Sequence, residues 1–179
     1  QAYRSRGSSK SGLKDPKGAI IDYTKSIEIN PNEAFTYVVR GNKKSDIKDH
    51  EGAIKDYTKA IEIDPNYASS FVYRGKIKSS LKDYTDALKD ISEGIRIDPN
   101  YAYAYLSRGD IKSELKDYIG AIEDYTKAIE LDPKDSYAYQ ARGDAKSYLN
   151  NYQAAINDFS RAIKLNPKNS YSYVAMGNI

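Results

Sequence analysis

Cysteine is absent from this chain, and histidine occurs once, at His50. Without thiols there is no disulfide, no thiolate nucleophile and no cysteine-ligated metal. One imidazole alone cannot assemble an ordinary zinc site or a nucleophile–base pair, so neither catalysis nor a metal or cofactor is expected. Glycine-rich phosphate loops are missing too, because each glycine of the repeating pattern described below stands alone inside a helical stretch. No apolar run approaches about 18 residues, so no membrane insertion is expected. The segment from Gln1 to Lys10 also lacks the apolar core of a signal peptide. A strong charge of one sign is missing as well: 28 basic and 25 acidic side chains leave a net +3 with finely alternating signs. That balance describes a solvated surface and predicts no nucleic-acid partner. What the chain does contain is 40% apolar residues over 179 positions, enough for a folded core, and 18 tyrosines.

Self-comparison shows a period of 34 residues. It carries the glycines Gly7, Gly41, Gly75, Gly109, Gly143 and Gly177, the prolines Pro31, Pro65, Pro99, Pro133 and Pro167, and the alanines Ala19, Ala53, Ala87, Ala121 and Ala155. Within each period the apolar residues return at helical spacing, as in Ala53, Ile54, Tyr57, Ala60 and Ile61, which predicts two helices per unit. Between them lies a short polar turn, in which Asp83 or Asp117 can accept the first backbone donors of the second helix. Each second helix should end near Asp64-Pro65 or its counterparts, since proline cannot continue a helix and biases its predecessor away from helical angles. A glycine inside a helix costs roughly 1 kcal/mol relative to alanine. Six in register therefore imply a packing need: close approach of two backbones, with Tyr57 and Ile61 filling the space around Gly41, Ala53 and Ala60.

Tyr37, Gly41, Ala53, Tyr57, Ala60 and Pro65 fall where the tetratricopeptide repeat family places its aromatic, small and proline residues, and the chain resembles that family over essentially its full length. The resemblance implies an all-α fold, a right-handed α-solenoid of antiparallel helix pairs. Its repeats would span 1–33, 34–67, 68–101, 102–135 and 136–169, with a partial sixth at 170–179. The third repeat departs from its siblings, with Ile91 in place of Tyr23, Tyr57, Tyr125 or Phe159 and Gly94 in place of alanine, and is expected to pack less firmly. His50 stands where three other repeats have Tyr84, Tyr118 and Tyr152 and is read as replacing a packing aromatic. Three charged columns also keep the period: Arg6, Arg40, Arg74, Arg108 and Arg142; Lys10, Lys44, Lys78, Lys112 and Lys146; and Asp22, Asp56, Asp90, Asp124 and Asp158. Arg40 and Lys44 lie on one helix face, so an aspartate of the adjoining second helix can sit between them. An Arg–Asp–Lys ladder is preferred over an anion-binding stripe, because cations with built-in carboxylates are usually structural.

The resemblance further implies that the first helices line a concave wall that binds a peptide or helix of a partner protein, as an interaction scaffold. Positions on that face vary between repeats while the packing columns do not. They comprise Phe35, Val38 and Asn42 in the second repeat, Val72 and Lys76 in the third, Tyr103, Leu106 and Asp110 in the fourth, Tyr137, Gln140 and Asp144 in the fifth, and Tyr171 in the sixth. Ser45, Ser79, Ser113 and Ser147 would form a floor. The aromatic and aliphatic members favour a partner segment with an apolar stretch, and Asp110 and Asp144 favour a basic residue on it. A clamp for a partner's C-terminal carboxylate is not expected, since Val38 occupies the place of its lysine. Two alternatives stand beside this reading: an RNA-binding helical repeat, disfavoured because the serine column is too uniform to read different bases, and a targeting module of a larger enzyme. The chain begins and stops inside a repeat, so a longer array or disordered ends are expected, with self-association through uncovered terminal repeats near Ala175 and Met176. A cytoplasmic location is the expectation, although cysteine usage leaves the compartment open.

Overall fold

A computed structural model describes all residues from Gln1 to Ile179. The protein is all-α, with eleven helices and no strand. It divides into two compact units at the junction of the third and fourth repeats. The first, Gln1–Ile97, holds α1 (Ala2–Gly12), α2 (Pro16–Ile29), α3 (Ala34–Asp46), α4 (His50–Ile63), α5 (Ala68–Ser80) and α6 (Tyr84–Ile97). The second, Asp98–Ile179, holds α7 (Ala102–Glu114), α8 (Tyr118–Leu131), α9 (Ser136–Tyr148), α10 (Tyr152–Leu165) and α11 (Ser170–Gly177). Within each unit every helix packs on the next in chain order, and the first helices of adjacent repeats also touch, α3 with α5 and α7 with α9. This nearest-neighbour stacking of helix pairs is the α-solenoid architecture.

The helix ends follow from local chemistry. Asp15, Asp49 and Asp117 cap α2, α4 and α8, their side chains accepting the backbone N–H of Gly18 at 2.8 Å, Gly52 at 2.9 Å and Gly120 at 3.0 Å. Each cap satisfies a donor that the helix itself cannot. Asp83 accepts the N–H of Asp86 at a longer 3.3 Å. At the other end, the side chains of Asp64, Asp98 and Asp132 accept backbone N–H groups two residues on, from Asn66, Asn100 and Lys134, turning the chain as the proline stops the helix.

The turn inside each helix pair holds one residue in the left-handed region: Lys14, Lys48, Lys82, Lys116 and Asn150, with φ between 59° and 65°. Glycine is the residue that takes this conformation without steric cost, whereas a side chain there costs about 1 kcal/mol. Lys116, at φ 63°, is exposed. Lys116→Gly is therefore expected to stabilise the second unit by about 1 kcal/mol, read as a rise in the midpoint of urea unfolding, and an unchanged or lower midpoint would refute the turn account.

The glycine column is the packing seam. A Cβ placed on Gly41 would stand 2.8 Å from the Tyr57 ring, on Gly7 2.7 Å from Tyr23, on Gly109 2.7 Å from Tyr125, and on Gly143 2.8 Å from Phe159. Only a residue without a side chain lets the ring come this close to the helix. In the third repeat Ile91 takes the ring's place, with its Cγ1 2.7 Å from that position on Gly75. There Gly94 is also explained, because Val72 Cγ2 sits 2.6 Å from where an alanine methyl would be. Ile91 and Val72 are fully buried, so this repeat is packed by a different set of side chains.

The charged columns meet as a ladder within each repeat. Asp22, Asp56, Asp90, Asp124 and Asp158 are all buried. Each receives a two-pronged bond from its arginine, as from Arg108 Nε at 2.9 Å and Nη2 at 2.6 Å to Asp124. Each also pairs with its lysine, as with Lys112 Nζ at 2.8 Å. The guanidinium lies over an aromatic ring three residues earlier on the same helix, 5.7 Å from the Tyr105 centroid for Arg108. Its remaining nitrogen reaches back one repeat: Arg40, Arg74 and Arg142 each donate to a threonine hydroxyl, on Thr24, Thr58 and Thr126, at 3.1 Å. The first node shows the electrostatic consequence, because bonds from Arg6 and Lys10 hold the Asp22 carboxyl well below the usual carboxylate range. With buried carboxylates saturating both cations, the ladder is built as structure and not as an anion site.

Candidate functional site

In the second unit α9 presents Tyr137, Gln140, Asp144 and Tyr148 along one face, at spacings of three and four residues. Tyr137 and Tyr171 are about half exposed, at 47% and 52%. Their hydroxyls nevertheless donate to carboxylates one repeat earlier: Tyr137 to Asp110 at 3.3 Å and Tyr171 to Asp144 at 3.0 Å. Asp110 also accepts the buried Tyr125 hydroxyl at 3.1 Å. Each tyrosine thus bridges two neighbouring first helices and is held in place by a hydrogen bond while about half of its surface stays exposed. Gln140 is tied to the start of α11 by its N-cap residue Asn169, whose amide donates to it at 2.8 Å. Tyr103 is half-buried, with its ring 6.1 Å from Tyr101.

The electrostatics of this face are those of carboxylates and phenols in partly dehydrated surroundings. Burial raises the Tyr125 and Tyr137 hydroxyls well above the ordinary tyrosine range, and the charge of Asp110 adds to it. Tyr171 is pushed up to about 12, by burial first and then by Asp144, with nearby Tyr148 contributing. Burial also raises the Asp144 carboxyl, against the opposing bonds from Tyr171 and Gln140. No ion pair reaches Asp144, in contrast to the five aspartates of the ladder.

In the first unit the corresponding face is less aromatic. Phe35 is exposed with the Arg4 guanidinium 5.7 Å from its ring centre, and Arg4 is held by Glu33. Asn42 is half-buried and accepts the Tyr57 hydroxyl at 2.7 Å. Lys76 is exposed, and Ser45 and Ser79 are half-buried.

Three of the residues expected on this face are not on it. Val38, Val72 and Leu106 retain only 3%, 0% and 7% of their surface. Val38 packs with Ile27, Tyr57 and Ala60, and Leu106 with Tyr125 and Ala128. The reason is geometric: this column faces the small-residue column of the second helix, as Val72 does against Gly94. Gln140, the polar member of the same column, is half-buried. The face is accordingly aromatic and polar, with its aliphatic members moved to the core. Conversely, Tyr118 and Tyr148 were absent from the sequence-based set. Their rings stack at 4.7 Å and 11°, and Tyr148 keeps 66% of its surface. The signal available was the column Gly12, Asp46, Ser80, Glu114 and Tyr148, where only the fifth repeat is aromatic.

No group of three or more His, Cys, Asp or Glu side chains is arranged to hold a metal ion, and no helix is long and apolar enough to cross a membrane. The fold and this face define a helical-repeat solenoid protein. Residues 1–33 and 36–67, and 102–135 and 136–169, match models of the tetratricopeptide repeat, and the chain belongs to that family. A search of curated proteins found no significant match. Among solved structures, the chain is similar to MamA, at 26% identity over 92% of this chain and 96% of that one, with a TM-score of 0.77. The TPR domain of Arabidopsis OM64 is 30% identical over 62% of this chain and 92% of that one, with a TM-score of 0.61. YrrB, described as a TPR protein with an unusual peptide-binding site, shares the fold at 19% identity over 98% and 90% of the two chains, with a TM-score of 0.74.

Proposed function

We propose that this protein is an interaction scaffold that binds an extended or helical segment of a partner protein along the first-helix face. Tetratricopeptide repeat proteins generally serve as protein-interaction scaffolds, which supports the assignment at the coarse level. The observation that carries the finer reading is the arrangement in the second unit, where half-exposed tyrosines are fixed by hydrogen bonds to carboxylates on neighbouring first helices. Pre-positioned tyrosines offer large contact area with little side-chain entropy left to lose. Tyr103, Asp110, Tyr137, Gln140, Asp144 and Tyr171 form this surface in the second unit, and Phe35, Asn42 and Lys76 form the less aromatic counterpart in the first. A partner segment with an apolar stretch and at least one basic residue suits it.

Selection of binders from a random-peptide display library tests this reading. Peptides enriched on the wild-type chain are expected to lose roughly tenfold or more in affinity for Tyr137→Ala and to bind normally to Ile119→Ala, which alters an exposed residue of α8. Equal binding to wild type and Tyr137→Ala would refute the site.

A further inference from the structure

Asp144 is the half-buried carboxylate of the second unit's first-helix face that no cation of the chain neutralises. It accepts the Tyr171 hydroxyl at 3.0 Å, and Tyr148 stands one helical turn along α9, its ring backed by Tyr118 and exposed. The chain itself shows what completes such a set. Arg142 donates through Nε at 2.9 Å and Nη2 at 2.7 Å to Asp158 while its guanidinium lies 5.7 Å from the Tyr139 ring centre. The same pairing of carboxylate and tyrosine ring holds Arg108 and, at Tyr37, Arg40. At Asp144 the carboxylate and the rings are present and the guanidinium is not.

We propose that Asp144, with Tyr148 and Tyr171, receives an arginine side chain of the bound segment. A guanidinium is favoured over an ammonium because it can bond the carboxylate in a planar fork and stack on the exposed Tyr148 ring at once, whereas lysine offers a point charge. Burial raises the Asp144 carboxyl, which is consistent with a carboxylate awaiting a counter-charge. Asp144 is thereby a specificity determinant: it sets the register of the segment by fixing where its arginine must fall.

This inference rests on the first-helix face being the peptide site, and one experiment separates the two. Random-peptide display on the full chain is followed by sequencing of the enriched peptides and by affinity measurements on wild type, Asp144→Asn and Tyr148→Leu. The enriched peptides should share an arginine. Its replacement by citrulline should weaken binding to wild type by roughly tenfold or more, by lysine less, and by citrulline hardly at all on Asp144→Asn. Tyr148→Leu should narrow the gap between arginine and lysine. Peptides that depend on Tyr137 but carry no common arginine, or whose arginine is equally important on Asp144→Asn, would overturn the arginine site and leave the peptide face standing. Peptides indifferent to Tyr137 would overturn both. Thermal unfolding of Asp144→Asn should match wild type, since Asp144 pairs with no cation of the fold.

Discussion

Asp124→Ala is expected to destabilise the protein by about 3 kcal/mol, among the larger losses a single substitution can cause. Asp124 is buried and carries both Arg108 and Lys112, whose side chains are themselves mostly covered. Asp124 also holds the Arg108 guanidinium above its ordinary value, chiefly through the hydrogen bond between them. Removing the carboxylate leaves two cations in a partly dehydrated seam without a counter-charge, and the missing side chain leaves a void beside them. The loss is therefore a penalty for what remains, and not a measure of what the ion pair contributes. Replacing the whole node by apolar residues, Arg108→Met, Lys112→Met and Asp124→Leu together, should restore much of the stability, because the charges that would be stranded are gone. Urea unfolding of the three proteins checks this. A single variant as stable as wild type would contradict the ladder, and a triple variant no better than the single would contradict the stranded-charge explanation.

Gly109→Val should cost a similar amount, about 3 kcal/mol. A Cβ there would stand 2.7 and 2.8 Å from two carbons of the Tyr125 ring, and valine adds two further carbons to a helix whose seam is already closed. Tyr125 is not free to move away, since its hydroxyl is bonded to Asp110 and its ring is buried in the core cluster of the unit. Gly12 provides the internal comparison. Nothing lies within 4 Å of a Cβ at that position, so Gly12→Val should produce no comparable loss. If the two substitutions have the same effect, the glycine column is a matter of helix propensity and not of packing. The Gly109 variant should also weaken peptide binding, because Asp110 follows it directly on α7 and anchors Tyr137.

Most of the fold can be read from the sequence because its determinants repeat. A column such as Gly41 and Tyr57 recurs in register, and a requirement repeated five times is visible in a single chain. The ladder is legible for the same reason: Arg40, Lys44 and Asp56 keep the same mutual spacing in all five repeats. The proposed binding face is less legible, because it is where the repeats stop agreeing. The family resemblance and the variation between repeats place Val38, Val72 and Leu106 on the face, yet these three side chains are buried against the neighbouring helix and differ among themselves only in volume. Apolar variation within a packed column and apolar variation on a binding surface look alike in one sequence; burial separates them. The Tyr118–Tyr148 stack was missed for the opposite reason. It joins residues of two different columns in adjacent repeats, so no single column announces it.

The most direct measurement is a structure of the full chain with a display-selected peptide bound. The account predicts the peptide lying on the first-helix face of the second unit, in contact with Tyr137 and Tyr171. A peptide seated instead on the outer surfaces of α8 and α10, with those two tyrosines untouched, would contradict it.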